Sequence, residues 1–237
     1  MLTVGLCQEG SGCYPWLVET REGVGRVAVA SRDIRCHEVV VEDEPVGTSP
    51  TQDSPLACLT CCKVLQEEDG LECECGFRMC SEACSEDIRH QPEHQLWVAA
   101  NTRSRGRADF PLVMPVRLLA VQDSASRDLE DRLGRLMDHR EDRQGSREEW
   151  ETVLSTVVRP ILVLGRAGGK HWTEEEVQRC IGITRINGVS CSARIGEWGD
   201  SDQGEVRMLY PGMSVFSHSC SPNTQAGGQS YYTTTIL

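Results

Sequence analysis

The chain contains no apolar run approaching the ~20 residues of a membrane-spanning helix, so no membrane partner is expected. Its first residues, MLTVGLCQEGSGC, lack the basic start and apolar core of a secretory signal. Internal repeats are absent. A basic stripe is absent too. Between Glu38 and Asp87 stand 13 acidic residues and only two basic ones, Lys63 and Arg78, in a chain of net charge −12. A groove that tracks phosphates needs the opposite sign, so direct nucleic-acid binding is not expected. Such a face is either simply solvated or suited to a basic protein or peptide.

What is present is 237 residues, 39% hydrophobic and 25% charged. That is enough for one large domain or two modest ones with a buried core. The 13 cysteines are an odd count and follow no signal, which argues against a secreted disulfide scaffold. In a reducing cytoplasm or nucleus, clustered cysteines are more often metal ligands.

Along the chain, WLVET (16–20), VGRVAVASR (24–32) and EVVVEDEP (38–45) read as strands, with REGVGR (21–26) as a glycine turn. Residues 46–57 carry linker chemistry. From Pro115 to Leu164 the pattern becomes helical, with Leu129, Leu133 and Leu136 at helical spacing. DHREDRQGSREEW (138–150) reads as a solvated connection, and WETVLSTVVRPILVL returns to an apolar face. Thr173 and Glu176 predict a capping box. After Ile183 strand signals return, with loops expected at Gly199–Gly204 and at Pro211–Gly212, and SYYTTTIL (230–237) reads as a strand with an unprotected edge.

Seven cysteines fall within residues 58–84, and two histidines follow. The pairs are Cys58-x2-Cys61, Cys73-x-Cys75, Cys80-x3-Cys84 and His90-x3-His94. Ligands two or three residues apart reach one tetrahedral zinc from a knuckle or a helical turn. Four pairs make two closed sites. The segment has too few large apolar residues for its own core, so metal would supply its folding energy. Cys62 is the surplus thiol, because Cys58-x2-Cys61 is the commoner knuckle. SEACSEDIRHQPEH starts as a short helix, which Pro92 ends or kinks.

The block 58–94 resembles a MYND zinc finger. That resemblance implies Cys58, Cys61, Cys80 and Cys84 on one zinc, and Cys73, Cys75, His90 and His94 on a second. It departs from the family in the single residue Glu74 between Cys73 and Cys75, and in His94 where a cysteine is usual. LYPGMSVFSHSCSPNT (209–224) resembles the segment of SET-domain methyltransferases in which HSC precedes a Pro-Asn. REGVGRVAVASRDIRCHEVVVEDEPV resembles the first SET strands, and CIGITRINGVSC the segment that ends on an asparagine. The order is similar to the SMYD group, in its arthropod-like branch, where serine replaces the asparagine before HSC, as Ser217 does here.

The resemblance implies an α+β fold: a split β-rich SET domain (14–50 and 184–237), an inserted MYND double-zinc finger (58–94) and a helical insert (112–183). It implies two Zn2+ ions and S-adenosyl-L-methionine as cofactors, the latter near Gly23, Gly25, Arg26, Asn187, Ser217 and His218. Glycines let backbone approach such a ligand closely, and Asn187 would accept from its ammonium group. Each of these residues taken alone reads equally as an ordinary turn or structural residue. Cys220 reads as a packed core thiol. The implied activity is lysine methylation of a histone or non-histone protein, with a peptide ligand for the finger. The family continues past HSC with a segment that completes the lysine channel, and Tyr231 and Tyr232 do not match its catalytic tyrosine. These 237 residues alone are therefore expected not to methylate, and no catalytic residue is assigned. The alternative is a catalytically inactive MYND adaptor. A thiol-redox role is weaker, because tetrahedral zinc consumes the thiolates.

Overall fold

A computed structural model describes residues 14–66, 68–101, 105–124, 127–139, 147–193, 204–227 and 232–236. The chain divides into two compact units, Met1–Pro45 with Tyr210–Leu237, and Val46–Leu209.

The first unit begins with an antiparallel hairpin of β1 (Trp16–Arg21) and β2 (Gly25–Ala30). The register pairs Arg21 with Gly25, leaving a three-residue turn. Gly23 (φ 74°) and Gly25 (φ 87°) both take the left-handed backbone that glycine adopts without a steric penalty. β3 (Val39–Asp43) belongs to a second sheet, whose inward residues Val40, Val41 and Asp43 are buried. Trp16 is stacked on Tyr14, meets Phe216 edge-on, and donates its indole N–H to the Val40 carbonyl at 2.9 Å.

The second unit opens on β4 (Gly47–Pro50), inside a stretch whose sequence reads as linker. GTSP has little intrinsic strand preference. It becomes a strand because β8 (Gly204–Leu209) offers it a ladder, with β7 (Gly188–Ala193) on the other side of β8. The finger supplies β5 (Leu71–Glu72), β6 (Arg78–Met79) and α1 (Glu82–Ser85). Pro92 does not end a helix. It sits in the first turn of α2 (Gln91–Ala99), where its missing N–H costs nothing.

α3 (Phe110–Ser124) is buried on every side from Leu112 to Ala120, as expected of a helix apolar all round. α4 (Arg127–Gly134) contributes Leu133 to the core, and Leu136 follows just beyond it. The side chain of Leu129 lies outside the described residues, as does most of the charged stretch 138–150. α5 (Arg147–Val153) runs through a π-helical turn, Leu154–Val158, into α6 (Arg159–Ala167). Pro160 explains that turn: it offers no N–H to the carbonyl of Thr156, and the wider turn accommodates its ring. α7 (Glu174–Asn187) begins at the predicted capping box, with Thr173 Oγ1 accepting from the Glu176 N–H at 3.2 Å and Glu176 accepting from the Thr173 N–H at 2.7 Å. It continues four residues past Ile183 before β7 starts at Gly188. A Cβ at Gly188 would stand 2.4 Å from the Thr184 carbonyl, so this abrupt join requires glycine.

The C-terminal stretch corrects two expectations. The run 205–220, expected to loop only at Pro211–Gly212 and to end as a buried strand at Cys220, does not resume as a strand. It turns into a 3-10 helix at Pro211–Val215, where Asp43 Oδ2 accepts the Gly212 N–H at 2.7 Å, and then into exposed loop. Nor is the last strand an open edge. β10 (Tyr232–Ile236) is the middle of its sheet, between β3 and β9 (Thr224–Gly227). Tyr232 pairs with Asp43, and Tyr231 lies outside the described residues.

The core of the second unit is shared. Leu59, Phe77 and Met79 of the finger pack in one cluster with Leu96 and Trp97 of α2, Phe110–Ala120 of α3 and Ile181 of α7. Phe77 lies parallel to Phe110 and edge-on to Trp97. Phe77→Ala should destabilise this unit by about 3–5 kcal/mol. Thr173→Ala, which removes only a cap, should cost about 1 kcal/mol. Equilibrium urea unfolding of the two variants beside wild type measures both, and the first should exceed the second severalfold.

Candidate metal centres

The first group is built by a knuckle and a helix start. Cys58 opens a tight turn in which the Cys62 N–H donates to the Cys58 carbonyl at 2.9 Å and the Cys58 N–H to the Lys63 carbonyl at 2.8 Å. Cys62 closes the turn with φ 60°. That left-handed residue sends its own thiol elsewhere, into a small buried cluster with Val206. Opposite, Ser81 caps α1 by accepting from the Cys84 N–H, which sets Cys80 just before the helix and Cys84 within it. Thr60 donates to the Cys84 carbonyl at 2.7 Å and ties the two halves together.

The Sγ atoms of Cys58, Cys61, Cys80 and Cys84 all lie within 4.8 Å of one another, with 3.5 Å between Cys61 and Cys80 and 3.4 Å between Cys80 and Cys84. A tetrahedron with Zn–S bonds of about 2.3 Å has S···S edges of about 3.8 Å, so the set fits a closed thiolate site. The Cys61 thiol, hydrogen-bonded to Cys58, holds Cys58 down to about 4 against the effect of burial. The same bond pushes Cys61 up, and burial pushes Cys84 up to about 11. A divalent cation held by the four sulfurs would bind them as thiolates.

The second group comprises Cys73, Cys75 and His90, all buried, with one ligand atom from each within 4.8 Å of the others. Its knuckle is the β5–β6 hairpin, where Gly76 (φ 86°) donates to the Cys73 carbonyl at 2.8 Å and Cys73 donates to Phe77 at 2.9 Å. The single intervening Glu74 therefore does not keep the pair apart. His90 turns Nε2 toward Cys73 Sγ, 3.8 Å away, and Ser85 Oγ donates to that sulfur at 3.3 Å. His94, one turn along, is not within this group. Its ring stands edge-on to His90 at 5.2 Å, partly buried.

Two residues that the sequence reading passed over complete the surroundings. Glu93 Oε1 lies 2.9 Å from His90 Nδ1, and both Glu93 oxygens accept from Arg117 at 2.6 Å. Burial lowers the basicity of His90, and the Glu93 hydrogen bond overrides it, so the imidazole is raised overall. Signals for both residues were present. Glu93 follows His90 by three positions, one helical turn, and Arg117 is a lone charge in the apolar run VMPVRLLAV.

The residues expected around a methyl donor fall into both units. Gly23, Gly25 and Arg26 form the first hairpin, and the 3-10 turn before Ser217 and His218 packs against β2 within the same unit. Ser217 and His218 are exposed. Cys220 is exposed as well, and not a packed core thiol. It follows the 3-10 turn in a loop, with its sulfur 3.4 Å from His218 Nε2. Asn187 belongs to the other unit, where its amide nitrogen donates to the carbonyls of Met137 (2.8 Å) and Ile183 (3.1 Å). Its oxygen remains the accepting end.

Cys61→Ala should remove one equivalent of bound metal, whereas Cys62→Ala should leave metal content unchanged. Elemental analysis of the two purified variants separates these outcomes.

No protein-family model matches the chain. It is 24% identical over 219 residues to the SET domain-containing protein SmydA-8, isoform A, of Drosophila melanogaster, across 88% of this chain. The alignment spans 44% of that relative, so the chain corresponds to less than half of its length. Among the described residues no helix is long and apolar enough to cross a membrane. With two Cys/His groups placed as a MYND finger would place them, the chain resembles the SET and MYND domain proteins of the SMYD type.

Proposed function

We propose that the chain is the cofactor-binding and zinc-finger portion of an S-adenosylmethionine-dependent protein-lysine methyltransferase. The observation that carries this reading is the likeness to a SET domain-containing protein over 88% of the chain, together with two Cys/His groups that could each hold a metal ion. Zinc on Cys58, Cys61, Cys80 and Cys84, and on Cys73, Cys75 and His90, has a structural role: it holds segments that burial alone would leave loose. The fourth position of the second site falls to His94 in this reading.

When bound, S-adenosylmethionine supplies the methyl group. The chain's own part is to hold that ligand. The hairpin at Gly23 and Gly25 lets backbone come close, and Arg26 contributes charge beside it. Ser217 and His218 are exposed after the 3-10 turn, and in this reading the His218 backbone would meet the adenine. A lysine substrate must arrive as the neutral amine and in line with the methyl, which a desolvated channel promotes. The substrate would be a histone or another protein. The finger would take a peptide ligand, consistent with the acidic block around it.

The adaptor reading draws on one specific observation, the exposure of Ser217, His218 and Cys220 together. Titration calorimetry with S-adenosylmethionine on zinc-loaded protein decides between the two. Binding that disappears in Gly25→Val/Arg26→Ala, with zinc content unchanged, is the expected result. A folded, zinc-loaded protein that binds no cofactor overturns the methyltransferase reading and leaves the adaptor. Turnover is then measured with labelled cofactor on this chain and on the full natural product side by side.

A further inference from the structure

We infer that Glu93 and Arg117 are positioning residues for the second metal site, acting through His90. The inference rests on the zinc reading above and goes beyond the ligands themselves. His90 is fully buried, Glu93 is 1% exposed and Arg117 is 8% exposed. Two charged side chains this deep are unusual unless each has a defined partner. Glu93 Oε1 faces His90 Nδ1 at 2.9 Å. A carboxylate is an acceptor only, so Nδ1 must carry the proton and donate it. The lone pair is thereby fixed on Nε2, the atom turned toward Cys73 Sγ.

This is the carboxylate–histidine–metal arrangement that orients a ligand ring and raises its basicity. Arg117 completes it with two parallel bonds, Nε to Oε2 and Nη2 to Oε1, both 2.6 Å. The fork sets the plane of the carboxylate. Nη2 also donates to the Leu59 carbonyl at 2.7 Å, within the Cys58–Cys61 knuckle of the first site. The same guanidinium therefore touches the frames of both sites, whereas Glu93 touches only the second.

The test uses the whole chain loaded with Zn2+ or Co2+. Long-range proton–nitrogen NMR of the zinc-loaded wild type should show His90 metal-bound through Nε2 and protonated at Nδ1. Ligation through Nδ1, or an unligated His90 beside a filled second site, overturns the inference. Competition with a chromophoric chelator should show two metal equivalents in the wild type. In Glu93→Gln the second equivalent should bind about 10–100-fold more weakly, with the first and its thiolate charge-transfer band unchanged. The double variant Glu93→Met/Arg117→Met replaces the buried pair by apolar side chains of similar volume, and it decides the matter should Glu93→Gln not fold. It should melt cooperatively yet keep the weakened second site. Wild-type affinity for the second equivalent in either folded variant sinks the proposal. A wild type that takes only one equivalent instead sinks the zinc reading beneath it.

Discussion

A single buried guanidinium holds the second unit together. Arg117 projects from α3 and donates to Glu93 on α2, to the Leu59 carbonyl in the first knuckle, and to the Thr48 carbonyl on β4. Four segments separated by up to 69 positions thus converge on one side chain. The geometry suits arginine and not lysine, because only a planar fork can serve a carboxylate and two carbonyls at once. Removing one member of such a buried pair typically costs about 3–5 kcal/mol, because the other is left charged and unpaired. Around it the packing is apolar: Phe77 between Phe110 and Trp97, with the Arg105 guanidinium 4.4 Å from the Trp97 ring centroid.

That arrangement changes how the finger is stabilised. From its sequence the block seemed to depend on metal alone, since it lacks large apolar residues. The structure shows that three of its apolar side chains, Leu59, Phe77 and Met79, are almost entirely buried in a core shared with helices from elsewhere in the chain. The finger borrows a core. A metal ion in each group would fix the knuckles that the helices cover.

How much was legible follows from whether the physics was local. The close Cys-x2-Cys and Cys-x-Cys pairs, the Thr173 capping box and the glycines of the first hairpin are set by neighbours in sequence and could be read there, whereas His94, read as a ligand, lies outside the second group. The choice between Cys61 and Cys62 was readable as a knuckle preference, though its cause, the left-handed backbone at Cys62, was not. Non-local features were misread. GTSP is a strand only because β8 lies beside it, and β10 looked like an edge because its partners β3 and β9 come from other parts of the chain. Glu93 and Arg117 are 24 positions apart. Each was visible as an anomaly, a carboxylate one turn from a ligand and a charge inside an apolar helix, but only the fold pairs them.

The two metal groups are consequently unequal in what surrounds them. The first gathers four thiols from a knuckle and a capped helix start, and its geometry is set almost wholly by local turns. The second gathers two thiols and an imidazole, and its imidazole is aimed by a carboxylate that a distant helix holds in place. Because only the folded helical core presents Arg117 to Glu93, binding at the second site is thermodynamically linked to folding of that core, and the linkage acts in both directions. A metal ion there does more than close a loop. Bound there, it would stabilise the same conformation that α2, α3 and β4 need for their own packing, which would couple the finger to the insert.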